Sequence, residues 1–261
     1  MGTVITFSNQ KGGVAKTTSA VMTAGELTSR GKRVLLVDTD PQANATEYTY
    51  SQRTKLKYSP HDLIVDADLD TDDVIVSTDF GDLIPSSYKL YDADKAYSSP
   101  IVMKEIVDLV KDDYDYVVID TPPNLGWLQI ASLMATDYVV IPSKATKQSV
   151  QGIETLLNTI DNVRETNQNV QLAGFLFTMS DSRVLAVKFV STEVEKVAAN
   201  VGCKIFSHQI RTAQGLFGEA ELRRENVFTK KKRNNAINDY RGFVDELLEV
   251  IDNGETKQPV R

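Results

Sequence analysis

The chain has 261 residues, of which 41% are hydrophobic and 25% are charged, a balance that suits one large α/β domain or two small ones. Its formal net charge of -7 argues against attraction of the whole molecule to DNA or to an acidic membrane, so any nucleic-acid binding must come from a local patch. The single cysteine, Cys203, excludes a disulfide framework and a cysteine-built metal site within one chain. No basic leader or apolar run of about 18 residues is present, so we expect a cytoplasmic protein.

Apolar runs alternate with helical patterns along the sequence. The runs are typical of strands buried on both faces of a parallel sheet, and they cover residues 3–8, 33–38, 115–120, 137–142, 170–178 and 203–207. Helical patterns cover residues 16–30, 101–112, 126–136, 147–166, 184–200 and 235–252. This order predicts an α/β fold, a parallel sheet with helices on both faces, in one domain over residues 1–261. Ligands of such sheets bind at the carboxyl ends of the strands.

The loop after the first strand contains the parts of a phosphate-binding site. Gly12 and Gly13 permit a tight turn that points N–H groups at phosphates. Lys16 opens the next helix, where its ammonium group can reach the β- and γ-phosphates, and Thr17 offers a hydroxyl group to Mg²⁺. We therefore expect a nucleotide at this loop, rather than a chance Gly-Gly turn.

This loop differs from the usual pattern G-x-x-x-x-G-K-[ST], because Gln10 and Ala15 stand where glycines belong. A methyl group at Ala15 costs about 1 kcal/mol if the backbone φ is positive there. Lys11 adds a second lysine, placed too early to fold back easily on its own nucleotide. We expect its side chain to reach across a dimer interface.

With Lys11, the loop reads K-G-G-x-x-K-T and resembles that of the ParA/MinD family of deviant-Walker ATPases, in particular the short ParA-type DNA partition proteins. The resemblance implies a P-loop NTPase-like fold, ATP and Mg²⁺ as cofactors, and ATP hydrolysis that is slow without a partner. It also implies a homodimer on ATP, in which Lys11 touches the partner's nucleotide. The implied ATP-binding residues in the loop are Lys11, Gly12, Gly13, Val14, Ala15, Lys16, Thr17 and Thr18.

Two further strand ends carry carboxylates. Asp38 and Asp40 are similar to the family's D-x-D-P-Q motif, and side-chain alternation predicts that both point the same way. Asp120 ends the run 115–120 as in the family's Walker B motif. The resemblance implies that Thr17, Asp38 and Asp120 serve Mg²⁺ and its water, and that Asp40 orients the attacking water. The implied catalytic residues are Lys11, Lys16 and Asp40. The alternative is that these acids are solvated at strand ends.

Two later segments, residues 175–183 and 208–220, lie where the family builds its adenine pocket. The resemblance places Thr178, Met179, Ile210 and Arg211 in that pocket, although this chain lacks the proline of the family's Ile-Pro-Arg sequence. Residues 144–149 also differ from the Glu and aromatic residue that ParA members often carry. His61 and His208 have no partner pattern, and we expect structural roles for both.

The stretch 223–233 carries six basic residues and one acidic residue. It is either a solvated loop or a patch that contacts the DNA backbone without sequence preference. ParA members bind DNA in this way through their C-terminal part when dimerised on ATP. The implied DNA-binding residues are Arg223, Arg224, Lys230, Lys231, Lys232 and Arg233.

The last helical pattern, residues 235–252, has an apolar stripe that is typical of a helix facing the core. The rival interpretation is a membrane-targeting helix as in MinD, which requires lysines and arginines on its polar face. Here that face carries acids that anionic lipid would repel. They are Asp239, Asp245, Glu246, Glu249 and Asp252.

Three functions therefore remain open. The favoured one is a nucleoid-associated partition ATPase of the short ParA form, without an amino-terminal helix-turn-helix, stimulated by a ParB-like centromere-binding or adaptor protein. The second is a MinD-like positioning ATPase on a membrane surface. The third is a metabolic or electron-transfer relative, such as a biotin-pathway ligase or a nitrogenase iron protein. The iron protein needs cysteines at its dimer interface, and Cys203 does not lie directly after the phosphate-binding loop or the Walker B motif.

Overall fold

The computed structural model describes residues 1–51, 56–66, 69–93, 99–144, 147–180, 194–230 and 234–255. These residues form eight strands: β1 (Thr3–Phe7), β2 (Val34–Asp38), β3 (Val76–Thr78), β4 (Gly81–Ile84), β5 (Tyr116–Asp120), β6 (Tyr138–Ser143), β7 (Gln171–Ser180) and β8 (Ile210–Arg211). They make one sheet in the order β3-β4-β2-β5-β1-β6-β7-β8. Only the β3–β4 pair is antiparallel in this described sheet. The predicted α/β fold is confirmed, with an antiparallel edge hairpin added to the predicted parallel sheet.

Helices connect the strands and follow the last of them. They are α1 (Lys16–Ser29), α2 (Asn44–Thr49), α3 (Pro60–Val65), α4 (Val102–Val110), α5 (Trp127–Met134), α6 (Lys147–Arg164), α7 (Gln214–Arg223) and α8 (Asn235–Glu255). Residues 194–200 are also helical. Local chemistry explains some of the boundaries: at α3, Ser59 and Asp62 form a capping box around Pro60 in the first turn.

Both faces of the sheet are covered by helices. On one face, Leu36 and Val118 belong to the core that includes α1 and α8. On the other face, the residues that precede them in sequence, Leu35 and Val117, pack with α4 and α5. Side chains alternate along a strand, so each central strand contributes to both cores. The carboxyl ends of the parallel strands remain at one edge of the sheet, where ligands of such folds bind.

The region after β7 differs from the prediction. Residues 203–207 do not form a strand, since only Ile205 makes an isolated bridge, to Phe175. The strand that pairs with β7 is β8, a few residues later. Cys203 is half-buried in a loop rather than on a buried strand. In the predicted helix 184–200, residues 184–193 lie outside the described part of the chain, and 194–200 are helical.

The last helix, α8, buries the predicted apolar stripe. Ile237, Tyr240, Phe243, Val244, Leu247 and Ile251 are all at most 2% exposed, and Leu248 packs against them. The predicted acidic face is only partly correct, however. Asp239 and Glu246 are both buried, at 8% exposure, because residues just before and in β8 surround them with N–H and hydroxyl donors.

Candidate functional site

The loop between β1 and α1 is anchored by Asn9. The Asn9 side chain donates a hydrogen bond to the Pro142 carbonyl (2.6 Å) and accepts one from the Lys11 amide (2.9 Å). Gly12 and Gly13 are exposed, and Gly13 has a φ of 69°, a conformation that favours glycine. The glycine backbone is therefore accessible at the amino end of α1, where an anion is stabilised.

Ala15 adopts the left-handed conformation that glycine favours. It caps the amino end of α1 with φ 60° and ψ 34°. Because φ is positive at Ala15, its methyl group has a steric cost of about 1–2 kcal/mol. The loop keeps the backbone shape of a glycine-containing loop without the glycine.

Two buried carboxylates lie side by side at the carboxyl edge of the sheet. Asp38 and Asp120 are register partners in the β2–β5 pair, and both are fully buried. Each lies two residues after a residue of the core that contains α1, so both side chains point toward the face that carries Lys16 and Thr17. Burial raises the pKa of Asp38 to about 7, although the amide and hydroxyl of Thr46 donate to its Oδ2 at 2.8 and 2.7 Å.

Asp120 is the more exceptional of the two. Burial and the neighbouring Asp38 raise its pKa well above the usual value, while Thr17 and Lys16 lower it. The Thr17 hydroxyl is close enough for that effect, but neither buried carboxylate oxygen of Asp120 has a partner with good hydrogen-bond geometry. Buried oxygens without partners indicate a missing ligand, and hard oxygen donors are those that Mg²⁺ prefers.

Lys16 supplies positive charge beside these acids. It is 7% exposed, and its ammonium group donates to the Lys11 carbonyl at 3.4 Å. Burial lowers its pKa, whereas Asp120 and Asp40 raise it. Within the described residues, no group of three or more His, Cys, Asp or Glu side chains forms a metal site. The residues still fit Mg²⁺, which usually retains several waters and takes further ligands from substrate phosphates.

Asp40 lies in a different setting from Asp38. β2 ends at Asp38, so Asp40 lies in the turn beyond the strand, but it stays close to the same cluster: its amide donates to Asp38 Oδ1 at 3.1 Å, and its charge acts on Lys16 together with that of Asp120. The common direction of Asp38 and Asp40 stays a prediction.

The turn places Asp40: its Oδ1 accepts from the Gln42 amide at 3.0 Å, and its carbonyl accepts from the Ser86 hydroxyl at 2.6 Å. Asp40 is 5% exposed and borders an open cavity of about 300 Å³ together with Pro123 and Trp127.

The four residues predicted for a base pocket are brought together. Thr178, Met179, Ile210 and Arg211 line one cavity of about 320 Å³, next to the phosphate-binding loop. Ala15 and Thr18 of that loop line the same cavity, as do three aromatic residues that sequence reasoning missed: Tyr48, Phe217 and Tyr240. The three aromatic residues come from distant segments of the sequence, which do not show that they share a cavity. Tyr240 also belongs to the apolar stripe of α8, so the sequence pattern predicted only a core position for it.

Three further residues around the loop were also missed. Thr46 holds Asp38, and its own hydroxyl accepts from the Ser86 amide at 2.8 Å. Lys144 follows β6 at the same edge of the sheet, with its Nζ 4.0 Å from the position of a Cβ built on Gly13. The departure from the family pattern at residues 144–149 was the one sequence signal for Lys144.

Of the predicted DNA-binding residues, Arg223, Arg224 and Lys230 are described, and they lie at and after the end of α7. Arg223 pairs with Glu219 at 2.9 Å, and Lys230 pairs with Glu225. Arg224 has a φ of 50°, and its Nε is buried without a hydrogen-bond partner. Lys231, Lys232 and Arg233 lie outside the described residues. In the described part of the stretch, two of the three cations are thus partly neutralised.

Comparisons with known proteins identify relatives of this chain. Residues 2–173 match the family described as AAA domain. The sporulation initiation inhibitor protein Soj of Bacillus subtilis is 39% identical over 203 residues, which are 75% of this chain and 80% of that protein. The chromosome-partitioning ATPase Soj of Treponema pallidum is 35% identical over 214 residues, which are 79% and 82% of the two chains.

The fold has a close counterpart among solved structures. Cobyrinic acid a,c-diamide synthase from Mycobacterium smegmatis, crystallised with bound ADP and magnesium, superposes with a TM-score of 0.82 at 30% identity, over 97% of both chains. The sequence matches, the eight-stranded sheet and the deviant loop agree with one another. The chain belongs to the ParA/MinD family of P-loop ATPases, close to the ParA-type partition proteins.

Proposed function

We propose that this chain is a ParA-type partition ATPase that binds ATP with Mg²⁺, forms an ATP-bound homodimer, binds DNA non-specifically and hydrolyses ATP when a partner stimulates it. The observation that carries the proposal is the convergence of Lys16, Asp38 and Asp120 at the glycine loop, with the oxygens of Asp120 lacking partners. The two Soj relatives support it through their names, and the related synthase was crystallised with ADP and magnesium.

The loop residues divide the binding of ATP between them. The amides around Gly12 and Gly13 and the ammonium group of Lys16 would hold the phosphates. Thr17 would ligate Mg²⁺ directly, while Asp38 and Asp120 would hold its waters. Mg²⁺, when bound, neutralises charge on the β- and γ-phosphates. The cavity next to the loop, whose lining includes the half-buried Phe217, would receive the base.

Hydrolysis requires a water molecule in line with the γ-phosphate. Asp40 borders the open cavity beside the loop, so its carboxylate can orient that water and accept a hydrogen bond from it. As the water oxygen bonds to γ-phosphorus, the bond to the β–γ bridging oxygen breaks, ADP leaves, and the proton of the water is released with the inorganic phosphate. Lys11 of the partner protomer would stabilise the charge on the departing phosphoryl group, as an arginine finger does.

The stretch 223–233 would provide the DNA surface, since it is basic on an otherwise acidic chain. Two copies in a dimer double the local charge, which makes binding depend on ATP. A ParB-like centromere-binding or adaptor protein would stimulate hydrolysis and release the DNA. The proposal places the protein in the cytoplasm on the nucleoid, where it would segregate a plasmid, a chromosome or another cargo.

A MinD-like membrane function is the weaker candidate. The apolar stripe of α8 is buried against the sheet and is not available to lipid. In the part of the chain that the structure describes, no helix has both the length and the apolar character to span a bilayer. We therefore favour DNA, rather than a membrane, as the surface that this protein binds.

The proposal is tested by retention on immobilised DNA with ATP, ADP or no nucleotide, alongside ATPase rates. We expect retention of the wild-type protein only with ATP.

Lys16→Ala should weaken nucleotide binding at least tenfold, because it removes the charge beside the phosphates. Asp40→Ala should retain ATP and DNA but hydrolyse slowly, and Lys11→Ala should bind ATP as a monomer without dimerising.

Mixing two variants assigns Lys11 to the partner's site. In a dimer of Lys11→Ala with Asp40→Ala, the site of the first protomer keeps its own Asp40 and receives an intact Lys11. We expect the mixture to recover part of the hydrolysis that each variant lacks. Normal dimerisation and hydrolysis by Lys11→Ala alone would refute the dimer mechanism, and retention on vesicles instead of DNA would favour the membrane alternative.

A further inference from the structure

Two buried acids of α8 hold the segment that forms a wall of the base cavity: Asp239 contacts β8, and Glu246 contacts the residues just before it. Asp239 and Glu246 are seven residues apart, which is two helical turns, so they lie on the same face of α8. Residues 210–214, on the wall of that cavity, follow directly on the segment that Glu246 holds. The position of that wall therefore depends on these carboxylates.

Asp239 engages three N–H groups of one residue. Arg211 donates to it from Nε at 2.6 Å, from Nη2 at 2.7 Å and from its backbone amide at 3.2 Å. The Asp239 side chain is 11% exposed, whereas the Arg211 side chain is 50% exposed and lines the cavity. The two-point pairing fixes the plane of the guanidinium group, and the amide contact fixes the backbone from which it extends.

Glu246 holds the preceding residues independently. It accepts from the amides of Ser207 and His208, both at 2.9 Å, and from the Ser207 hydroxyl at 2.6 Å. The apolar stripe of α8 also anchors the helix in the core. The attachment of α8 to the sheet therefore does not require Asp239, and the close pairing with Arg211 calls for another explanation.

We propose that Asp239 is a positioning residue that presents the flat face of Arg211 to the base of the bound nucleotide. Pairing with Asp239 uses the edge of the guanidinium group and leaves its face for stacking on an aromatic ring. Phe217 is half-buried and lines the same cavity, with the buried Tyr240 packed edge-on against it at 5.6 Å between ring centroids, so a purine would lie between the Phe217 ring and a fixed cation. This inference rests on the proposed ATP binding at the adjacent loop.

A comparison of ligands with and without the base distinguishes a positioning role of Asp239 from a purely structural one. Tripolyphosphate carries the charges of the phosphate chain but lacks the base. If Arg211 acts on the base, loss of its orientation should weaken ATP and leave tripolyphosphate unchanged. If Asp239 only supports the fold, both ligands should weaken together or neither should change.

The experiment measures the dissociation constants of ATP and tripolyphosphate with Mg²⁺ by calorimetry on the full chain. We expect Asp239→Asn and Arg211→Ala each to weaken ATP about tenfold, the scale of one stacking contact, with tripolyphosphate within about twofold of the wild type. The double variant should be no weaker than Arg211→Ala alone, because Asp239 acts through Arg211. Asp245→Asn, on the exposed side of α8, is the matched control.

The outcomes separate this inference from the proposed function. ATP binding at wild-type strength in Arg211→Ala overturns the inference, and so does equal weakening of both ligands. Arg211→Ala removes a half-exposed side chain, so it tests the inference even if Asp239→Asn fails to fold. A wild-type protein that binds tripolyphosphate and ATP equally refutes the base contact, and one that binds neither refutes the proposed function together with this inference.

Discussion

The backbone of Ala15 shows how a residue can carry strain at the centre of a binding loop. Its φ of 60° is favourable for glycine and costly for an L-residue. Ala43, the residue before α2, has a φ of 57° and caps the turn after Asp40. Two alanines in left-handed conformations therefore flank the charged cluster. Strained backbone at a binding site persists only because the surrounding structure holds it in place.

Replacing Ala15 with glycine should relieve that strain. We expect Ala15→Gly to raise the free energy of unfolding by about 0.5–1 kcal/mol, the steric gain being partly offset by the greater entropy of glycine in the unfolded chain. Urea unfolding of the nucleotide-free protein measures the effect. Ala24→Gly, inside α1, should instead lower stability by about 1 kcal/mol or more. A loss of stability in both variants would contradict strain at Ala15.

Several residues of the site could be predicted from the sequence, because strand ends in a parallel sheet meet at one edge. Asp38 and Asp120 are adjacent for that reason, as is the loop that ends in Lys16. Thr46 could not be predicted, since its contact with Asp38 depends on a turn that folds the chain back. Side-chain alternation does not reach Asp40, which lies beyond the end of β2, so its position is set by the turn that follows the strand.

At the scale of elements, prediction succeeded for segments with a strong apolar pattern and failed for the rest. α2 has only six residues, too few to show a helical period. α7 buries only Ala220, so it has no apolar stripe to recognise. Residues 203–207 have the composition of a strand, but only one residue pairs there. Short and exposed elements depend on tertiary context, which local sequence does not contain.

The attachment of α8 to the segment before β8 should depend on acid pH. Burial alone would raise the pKa of Glu246, but hydrogen bonds from Ser207 and His208 lower it to about 2, below the usual 4.5. Because the folded pKa is the lower one, this stabilisation is complete above pH of about 4.5 and is lost as the pH falls toward 2. We expect Glu246→Gln to lose about 2 kcal/mol at pH 7.

Urea unfolding at a series of pH values measures this effect. The difference in stability between Glu246→Gln and the wild type should shrink as the pH falls from about 5 to about 2, since the wild type loses the same contribution. Glu249→Gln, on the exposed side of α8, should match the wild type within about 0.5 kcal/mol. A constant difference across this pH range would show that the charge of Glu246 is not responsible.

At the scale of the whole molecule, the distribution of charge decides whether DNA can bind. The chain carries -7 overall, and the described cations Arg223 and Lys230 are paired with glutamates. Attraction to DNA must therefore overcome the repulsion caused by the net negative charge, and DNA phosphates must compete with the glutamates for these cations. In the proposed ATP-bound dimer the stretch 223–233 is present twice, which would favour DNA binding only when ATP joins two chains.

Removing the basic residues should abolish the ATP-dependent binding of DNA. We expect the variant with Lys230, Lys231, Lys232 and Arg233 replaced by Ala to dimerise on ATP without retaining DNA. For the wild type, the logarithm of affinity should fall linearly with the logarithm of salt concentration, by about 0.9 for each phosphate neutralised. Fluorescence anisotropy with labelled duplex DNA at several salt concentrations measures both effects.

The matched control removes positive charge elsewhere on the surface. Lys32 and Arg33 are exposed just before β2, at the amino ends of the strands and opposite the nucleotide loop. Replacing both with Ala should leave DNA binding nearly unchanged. Equal loss in the control would mean that total charge governs the binding, and undiminished binding by the fourfold variant would place the DNA surface elsewhere.

The two borders of the described sheet are very short strands. β3 has three residues and β8 has two, so neither offers a long row of free peptide groups. Long, open borders invite strand addition and aggregation, and short ones discourage it. The proposed ATP-dependent association would gain from such short borders, because they discourage neighbouring copies from extending the sheet. For the proposed dimer, the expected contact is therefore made by the loops at the carboxyl edge of the sheet, which include Lys11.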